Sequence, residues 1–511
     1  MIRRLSLIPV LCLGLASPIE AGDDTLVVAM KVSFDSLCQT RSSSRQTLIL
    51  CHHWADTLVY RDPDKKEIVP CLAVSYRVVD GNVLEFTLRP GVRFHNGEPL
   101  TAEAVRYSME VFKTPGALSH KLFRAFGDVE VVDERTVRIP TSLHPRVAIE
   151  LLANVFFILP PQYHREVGGE AFGKHPVGTG PYEFVQWEVP SRIRFKANPH
   201  YFGRPKGKPR IPYLEIRVIP EVMIRIESLL TGEVDVVRSG SITPEQIQFL
   251  ENHPEIRVRR ANILRNFFLI MDAKGRSGVD YFKNRFVRRA VNHAIDRQRI
   301  VEDILRGMAE LNHGAATPLH FGYEPDIRTY AYDPDRARRL LEKAGFPNGF
   351  HVDFYAYRDE SVAEAIVQDL LAVGIRADLH WMAGRWDRLF EKLRKGEIPL
   401  AFITHGSYSI FDASAILNHL FLEEGPLCQG TTPEIIELLQ EADRCESGEG
   451  RRDLLSRAQK LIAFEAFWAP LYYGHSVAAV RKKLDYRPYY DEIDRYFLAE
   501  WTPGTQEGRR D

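Results

Sequence analysis

The sequence lacks an excess of charge of either sign. Its 511 residues include 67 Lys and Arg and 68 Asp and Glu, which gives a formal net charge of -1. Nucleic acids and anionic membrane surfaces are bound by concentrated basic faces, which this balance does not indicate. We therefore expect no nucleic-acid partner, and any charged recognition must be local.

Cysteine is scarce, with six residues, and no CxxC pair or zinc-type spacing occurs among them. No metal site built from these cysteines is predicted. Cys12 falls in the N-terminal apolar segment, and the remaining number is odd, so in an oxidising compartment one thiol stays unpaired or pairs between chains. The sequence leaves the pairing open among Cys38, Cys51, Cys71, Cys428 and Cys445.

Long apolar runs are also missing. The run at residues 5–15 is well short of the roughly 20 residues that a membrane-spanning helix needs. It follows Arg3 and Arg4 and precedes a polar stretch that ends at Ala21, a pattern typical of a secretory signal peptide over residues 1–21. Cleavage after Ala16 is an alternative. Lipid attachment at Cys12 is disfavoured because large residues precede it, so we expect a periplasmic protein.

Catalytic motifs are absent as well. The sequence has no Gly-x-Ser-x-Gly, His-Glu-x-x-His, Walker or dinucleotide-binding pattern. The glycine-rich stretch at 177–182 is not followed by Gly-Lys-Ser/Thr, so it indicates a tight turn and not a phosphate loop. We expect neither an enzyme nor a cofactor, with a secreted hydrolase as the alternative outside the binding classes.

The segment at 80–105 carries the clearest local pattern. Asp80-Gly81-Asn82 predicts a turn, residues 83–88 a strand, Asn96-Gly97 a second turn, and Thr101 the N-cap of a helix. Two strands and a helix are therefore expected. The length of the chain allows two or three such domains.

This segment resembles the signature of one family. Residues 88–97 (LRPGVRFHNG) and 100–105 (LTAEAV) are similar to the peptide/nickel type of bacterial extracellular solute-binding protein, family 5, the capture subunit of an ABC importer. The stretches at 177–182, 229–235 and 287–297 match further family segments. The resemblance extends over nearly the whole chain after the signal peptide.

The resemblance implies an α/β fold, the large two-lobed periplasmic-binding-protein fold (type II, cluster C), with an additional domain inserted in the first lobe. It places lobe 1 at 22–55, 183–264 and 477–511, the inserted domain at 56–182, and lobe 2 at 265–476. The alternation of helix and strand patterns in lobe 2 favours a mostly parallel sheet.

Helix starts are well marked in the second half of the chain. Thr243 with Gln246 forms a capping box, and Asp333 followed by Pro334 begins another helix. Ser361 with Glu364 predicts the cap of a third helix, which ends near Gly374.

Candidate ligand-binding residues come from positions that match the family's cleft. Each also has a structural alternative, such as a surface ion pair for Arg265 or core packing for Trp386. Two arginines facing a cleft would suit a carboxylate or an anionic metal chelate. The predicted set is His53, Trp54, Arg265, Asn266, Tyr357, Arg358, Trp386, His405, Gly406, Ser407, Tyr408 and Ser409.

One position departs from the family's peptide binders. There, an acidic residue shortly before an Asp-Pro pair holds the ligand's amino terminus, and matching Asp412 to that aspartate puts Ser409 at the acidic position. An ammonium group would lose a charge-assisted hydrogen bond, which counts against an ordinary peptide ligand.

We expect a monomer that carries a peptide-like or other small polar solute to the permease subunits of an ABC transporter. A nickel or metal chelate, with His405 as a possible ligand, and an oligosaccharide are the alternatives within the family.

Overall fold

The computed structural model describes residues 24–42, 44–115, 117, 119–238, 242–327 and 330–502, without the side chain of Tyr408. The expected signal peptide and Cys12 lie outside these residues. Within them, no helix is both long enough and apolar enough to cross a membrane. Below, lobe 2 denotes residues 265–476, lobe 1 the other described residues, and the inserted segment residues 56–182 of lobe 1.

Lobe 1 begins with a buried strand and a helix, followed by the inserted segment. The elements are β1 (Thr25–Met30), α1 (Arg45–Trp54), β2 (Val59–Asp62), β3 (Glu67–Pro70), β4 (Ala73–Val79), β5 (Val83–Leu88), α2 (Ala102–Lys113), α3 (His120–Phe123), β6 (Glu130–Val131), β7 (Thr136–Pro140), α4 (Pro145–Val155) and α5 (Pro161–Lys174).

The chain then completes lobe 1 and crosses to lobe 2 on one long strand. These elements are β8 (Tyr182–Glu188), β9 (Arg192–Ala197), β10 (Tyr213–Val218), α6 (Val222–Thr231), β11 (Val236–Arg238), α7 (Pro244–Glu251) and the crossing strand β12 (Ile256–Met271).

Lobe 2 alternates helices and strands, and a second long strand returns to lobe 1. The elements are α8 (Arg285–Ala294), α9 (Arg297–Arg299), β13 (Ala309–Leu311), α10 (Pro334–Lys343), β14 (Phe350–Ala356), α11 (Glu360–Ala372), β15 (Ile375–Trp381), α12 (Trp386–Lys395), β16 (Leu400–His405), α13 (Ser414–Phe421), α14 (Pro433–Arg444), α15 (Gly448–Glu465), β17 (Trp468–Arg481), β18 (Leu484–Asp485) and β19 (Glu500–Trp501).

One sheet runs through both lobes, in the order β15-β14-β16-β12-β17-β11-β1-β10-β9-β8, with β13 beside β17. The two crossing strands, β12 and β17, pair antiparallel along most of their length. Pairing is parallel where β14 meets β15 and β16, but antiparallel where β16 meets β12. The lobe 2 sheet is therefore mixed, because the crossing strands have to run in opposite directions.

Lobe 2 has apolar side chains on both faces of its sheet. Along β12, Phe267 and Leu269 belong to the buried cluster that includes α8 and α11, while Phe268 and Ile270 belong to the cluster that includes α13 and α14. Successive side chains of a strand point to opposite faces, so this alternation covers the sheet with helices on both sides.

Lobe 1 and the inserted segment share one hydrophobic core. A single buried cluster contains Leu26 and Ile193 from the large sheet together with Phe86 and Val105 from the inserted segment. Residues 56–182 add a four-stranded sheet, β4-β5-β7-β6, but their apolar side chains pack on those of lobe 1.

Local predictions hold where one hydrogen bond decides the structure. Thr101, Thr243 and Asp333 are N-caps whose side chains accept backbone N–H groups. The expected cap at Ser361 is wrong, because the N-cap is Asp359, two residues earlier, with a φ of 54°, and α11 begins at Glu360. The second strand expected after Pro90 is reduced to one bridge between Arg93 and Pro99.

Candidate functional site

A cavity of about 330 Å³ lies beside the crossing strands, between the two lobes. Arg45, Arg238 and Glu492 line it from lobe 1, while Arg358 and Asp359 line it from lobe 2. The crossing strands contribute Arg265, Phe267, Tyr472 and His475. We call this space the arginine cavity, because four guanidinium groups face it.

Arg265 reaches the cavity from an irregular part of β12. Asn262 pairs with His475 and Asn266 with Tyr473, so three residues of β12 face one residue of β17, Gly474. Such a bulge bends the strand and changes the direction of its side chains. Arg265 faces the cavity from this bulge, and its neighbour Asn266 is buried.

Arg265 forms a two-point ion pair with Glu492. Its Nε and Nη2 atoms both lie 3.1 Å from the two carboxylate oxygens, and Arg45 Nη2 lies 3.9 Å from the same group. Glu492 is 14% exposed, and its pKa falls to about 2. Burial alone would raise that pKa, but the charges of the two arginines and the hydrogen bonds from Arg265 outweigh it.

Arg45 joins lobe 1 to the Ser409 loop of lobe 2. Its Nη1 atom donates to Ser409 Oγ at 2.7 Å and to the carbonyl oxygen of Asp491 at 3.3 Å. Ser409 Oγ donates to that same carbonyl at 2.6 Å. A guanidinium group therefore stands beside the position at which the sequence suggested that an acidic residue was missing.

The lobe 2 wall carries a second basic group. Arg358 Nε donates to Asp359 at 3.0 Å, and its guanidinium carbon lies 4.9 Å from the centre of the Phe267 ring. Tyr472 stacks on that same ring with 4.5 Å between centroids. The hydroxyl of Tyr472 is buried and has no hydrogen-bond partner among the described residues.

Histidine side chains form hydrogen bonds that hold the loop at 405–409. His405 Nδ1 accepts the N–H of Ser407 at 3.1 Å, and its Nε2 lies 3.0 Å from His419 Nδ1. His320 Nδ1 accepts the N–H of Thr317, so its Nε2 donates to Ser407 Oγ at 3.1 Å. Burial lowers the pKa of His320 and of His419 to about 4. These rings are neutral at neutral pH.

Left-handed backbone conformations cluster at the cavity edge. Ser407, Ser409, Asp359 and Glu492 have φ values of 44°, 60°, 54° and 59°. Non-glycine residues adopt such values at a cost of about 1–3 kcal/mol, and they are found at ligand sites as well as in turns. Gly406 directly precedes Ser407, and an added Cβ atom there would stand 3.3 Å from Arg265 Nη2.

Two expected ligand contacts lie in the core instead. His53 is fully buried, with Nδ1 bonded to the Ile49 carbonyl at 2.8 Å and Nε2 accepting the N–H of Tyr496 at 3.1 Å. Trp54 is also fully buried and donates to the Leu37 carbonyl at 3.1 Å. Both ring systems are used for packing, so we place them outside the cavity.

Other predicted residues lie near the cavity without facing it. Asn266 is buried and ties β12 to the carbonyl of Ala315 at 2.7 Å. Tyr357 packs against Trp386 with 5.2 Å between ring centroids, next to Arg358. His405 and Ser407 support the loop. Of the predicted residues, Arg265 and Arg358 line the cavity, and Gly406 and Ser409 border its ion pairs.

Sequence reasoning missed several cavity residues. Glu492 lies 227 positions from its partner Arg265, and Arg45 lies 364 positions from Ser409. No local pattern marks such pairs. Tyr472 and His475 lie on β17, and no pattern in the sequence indicates which side of that strand faces the cavity.

A second cavity, of about 550 Å³, separates the inserted segment from lobe 2. Arg61 stacks on Phe411 with 4.1 Å to the ring centre, and Arg146 stacks on Phe321 at 4.3 Å. Arg146 also lies 3.5 Å from Asp412. The inserted segment and lobe 2 are therefore in contact at the edge of this cavity.

Two features bear on metals and disulfides. Among the described residues, no group of three or more His, Cys, Asp or Glu side chains is placed to hold a metal ion. The five described cysteines are free thiols, buried except for Cys445, which is half-buried.

A cavity between two lobes joined by crossing strands defines the class of solute-binding proteins that close on a ligand. Comparison with known proteins indicates the same class. The sequence pattern described as "Bacterial extracellular solute-binding proteins, family 5 Middle" matches residues 67–426. The chain belongs to this family, whose members are extracellular solute-binding proteins.

The similarity to relatives and to solved structures extends over nearly the whole chain. The glutathione-binding protein GsiB of Salmonella typhi is 28% identical over 493 residues, which are 92% of this chain and 94% of GsiB. The periplasmic binding protein DppA of Helicobacter pylori, solved with the peptide STSA, has a TM-score of 0.80 at 26% identity and covers 93% of this chain and 98% of its own.

A third similarity shows the fold alone. The structure of NikA from Brucella suis with Fe(III)-EDTA has a TM-score of 0.83 at 20% identity and covers 94% of this chain and all of its own. The expected two-lobed, cluster C fold and the expected class, the solute-binding proteins of ABC importers, are confirmed.

Proposed function

We propose that this protein captures a small polar, peptide-like solute in the arginine cavity and delivers it to the permease of an ABC importer without altering it. One observation carries this proposal: charged side chains from both lobes and from the crossing strands converge on one cavity. Closure around a ligand then gains contacts from both sides, so the filled form is favoured.

The size and chemistry of the cavity support a small ligand. Its volume of about 330 Å³ falls in the range of small-molecule pockets, roughly 300–1,000 Å³. Guanidinium groups match the geometry of carboxylates. The relatives named for glutathione and solved with a peptide both concern ligands that carry carboxylates.

The finer points belong to the same proposal. Residues 1–21 act as a signal peptide for export to the periplasm, where the protein works as a monomer. Arg265 and Arg358 contact the solute, and Arg45, Tyr472 and His475 join them. Lobe 1, lobe 2 and the inserted segment follow the boundaries that the sequence suggests.

The test is binding measured together with the fate of the solute. The purified protein, unfolded and refolded to remove bound solute, would be screened by thermal unfolding against peptides, glutathione, metal chelates and oligosaccharides. A solute at a hundred times its dissociation constant should add about 2.7 kcal/mol of stability. Mass spectrometry should recover it unchanged.

A matched pair of variants locates the site. Arg358→Gln should weaken binding of the solute, because a charge-assisted hydrogen bond of about 1.5–3 kcal/mol is lost. Arg376→Gln, at an exposed arginine on β15, should leave the affinity unchanged. Equal affinity in both variants, or consumption of the solute, would contradict the proposal.

A further inference from the structure

The cavity has more positive than negative groups. Four guanidinium groups and two carboxylates line it: Arg45, Arg238, Arg265, Arg358, Asp359 and Glu492. Two further carboxylates lie outside the lining, where Asp494 pairs with Arg238 at 2.7 Å and Glu310 lies 3.4 Å from His475. The lining itself therefore suits a solute that carries negative charge.

Both carboxylates of the lining, and Asp494 outside it, already have a guanidinium partner. Glu492 is held by two atoms of Arg265, Asp359 by its neighbour Arg358, and Asp494 by Arg238. An ammonium group entering the cavity would compete with a guanidinium for each carboxylate. It would also stand near like charges, which raises its energy in a partly desolvated site.

Two buried polar atoms at the cavity wall indicate what else the solute provides. The Tyr472 hydroxyl, in a side chain that is 2% exposed, has no partner among the described residues. His475 is 10% exposed, with Nε2 3.4 Å from Glu310 and Nδ1 without a partner in that part of the chain. Buried polar atoms are usually hydrogen-bonded, so these two suit a ligand.

The roles of the two atoms follow from their chemistry. Because the Nε2–H of neutral His475 donates to Glu310, its Nδ1 accepts a hydrogen bond. Tyr472 donates through its hydroxyl. Tyr472 and Arg358 both contact the Phe267 ring and both line the cavity, so they offer two donors to a carboxylate, and His475 accepts an amide N–H or a hydroxyl.

We propose that the solute is an organic acid without a free amine, such as an N-acylated peptide or amino acid. Its carboxylate binds Arg358 and the Tyr472 hydroxyl, and an amide or hydroxyl hydrogen binds His475 Nδ1. This inference rests on the proposed solute-binding function and narrows it to a chemical class.

Three pooled tripeptide libraries that differ only at their ends provide the test. The first has a free amine and a free acid, the second is N-acetylated with a free acid, and the third is N-acetylated and amidated. Native mass spectrometry and calorimetry should show about tenfold or tighter binding of acetylated acids over matched free amines, equal to at least 1.4 kcal/mol. The amidated library should not bind.

Variants test the assignment of the charged groups. Ser409→Asp alone should leave amine affinity unchanged, because the new carboxylate would pair with Arg45, which lies 2.7 Å from Ser409 Oγ. Ser409→Asp combined with Arg45→Ala should open that carboxylate and strengthen binding of the free-amine library about tenfold. Arg376→Gln is the control for handling and folding.

Each outcome of these experiments either supports or overturns the inference. Equal or tighter binding of free amines by the unaltered protein overturns the inference and leaves solute binding intact. If no library binds, the solute that co-purifies from the native periplasm decides: an acid without an amine supports the inference, and any other solute overturns it. If nothing binds and nothing co-purifies, the proposed function itself fails.

Discussion

At the scale of single residues, Glu492 is the internal counter-ion of the cavity. Its carboxylate joins Arg265 and Arg45, and it lies in the part of lobe 1 that follows the crossing strand β17. Without it, two guanidinium groups would face each other in a partly buried space. Burial and the nearby charge of Arg265 both lower the pKa of Arg45, while Glu492 raises it.

Replacing this carboxylate tests its contribution to stability. The pKa of Glu492 falls from 4.5 to about 2, which at about 1.4 kcal/mol per unit is roughly 3 kcal/mol. Because the folded pKa is lowered, this stability is present above about pH 4.5 and lost as the pH falls towards 2. We expect Glu492→Gln to lower the free energy of unfolding at pH 7, with a difference that shrinks between pH 5 and 2.

Urea denaturation over that pH range measures the effect. Glu391→Gln, at an exposed glutamate that pairs with Lys395, is the matched control and should produce no comparable change. A difference between Glu492→Gln and the unaltered protein that stays constant from pH 5 to pH 2 would show that the ion pair does not act in this way.

Cavity residues were predictable only where a family segment marked them. Arg265 and Arg358 follow from matching positions, and both line the cavity. His53 matched equally well but is enclosed by Tyr182, Tyr496 and Phe497. A single sequence does not distinguish these cases, because the aromatic neighbours of His53 come from positions more than a hundred residues away.

At the scale of elements, the loop between β16 and α13 depends on neutral histidines. His405 Nδ1 and His320 Nδ1 each accept a backbone N–H, so neither atom can take a proton without losing that bond. Asp412 favours protonation of His320, whereas Arg265 and His419 disfavour protonation of His405. Burial dominates for both rings.

The loop should therefore loosen in acid. The pKa values of His320 and His419 fall from 6.5 to about 4, so the unfolded state binds more protons between these values. Stability is complete above about pH 6.5 and decreases as the pH falls to 4. Hydrogen exchange at Ser407 and Ile410 should speed up over this range beyond the intrinsic pH effect.

A variant and a control make this measurement specific. His320→Gln keeps a polar side chain without titrating, so it should flatten the pH dependence of exchange in the loop. The amides of β5, which lies in the inserted segment, serve as the internal reference. A loop that is equally protected at pH 4 and at pH 7 would contradict the expectation.

A helix could be predicted from the sequence where the residues that form its cap lie close together in the chain. Thr243 and Gln246 form the capping box that the sequence indicates, because all the atoms involved lie within four residues. The mixed direction of the lobe 2 sheet was not predictable from the helix–strand alternation. It results from the crossing strands, whose partners β11 and β16 belong to different lobes.

At the scale of the whole molecule, polar contacts join the two lobes beside the crossing strands. Arg45 and the Asp491 carbonyl hold Ser409 across the lobe boundary, and Arg146 contacts Asp412 from the inserted segment. Apolar contacts also cross the boundary, because Phe411 packs against Leu264 and Tyr490, and Ile410 belongs to the buried cluster of lobe 1. Opening therefore has to expose this apolar surface as well as break the polar contacts.

Removing one of these contacts should shift the solute-free protein towards an open form. For Ser409→Ala we expect a larger radius of gyration in X-ray scattering than for the unaltered protein, and addition of solute should restore the smaller value. Ser361→Ala, which changes a serine on α11, is the control. An unchanged radius in Ser409→Ala would show that other contacts hold the lobes together.

The two-lobed architecture was predictable because the family segments extend along the chain, and the relatives confirm it. The close packing of the inserted segment was not. Its apolar residues at 84, 86 and 105 belong to the same cluster as those at 26, 28 and 193. The boundaries predicted from the sequence suggest that the inserted segment is a separate unit, whereas its side-chain packing joins it to lobe 1.

That common interior limits how such proteins can diverge. A chimera that takes residues 56–182 from a relative would need the facing side chains of β1 and β9 from the same parent, or voids would form where they meet. Recombination would therefore exchange lobe 1 as a block. Binding of a different solute would arise mainly by single substitutions at the boundary between the lobes, where arginines and serines can be replaced without repacking either interior.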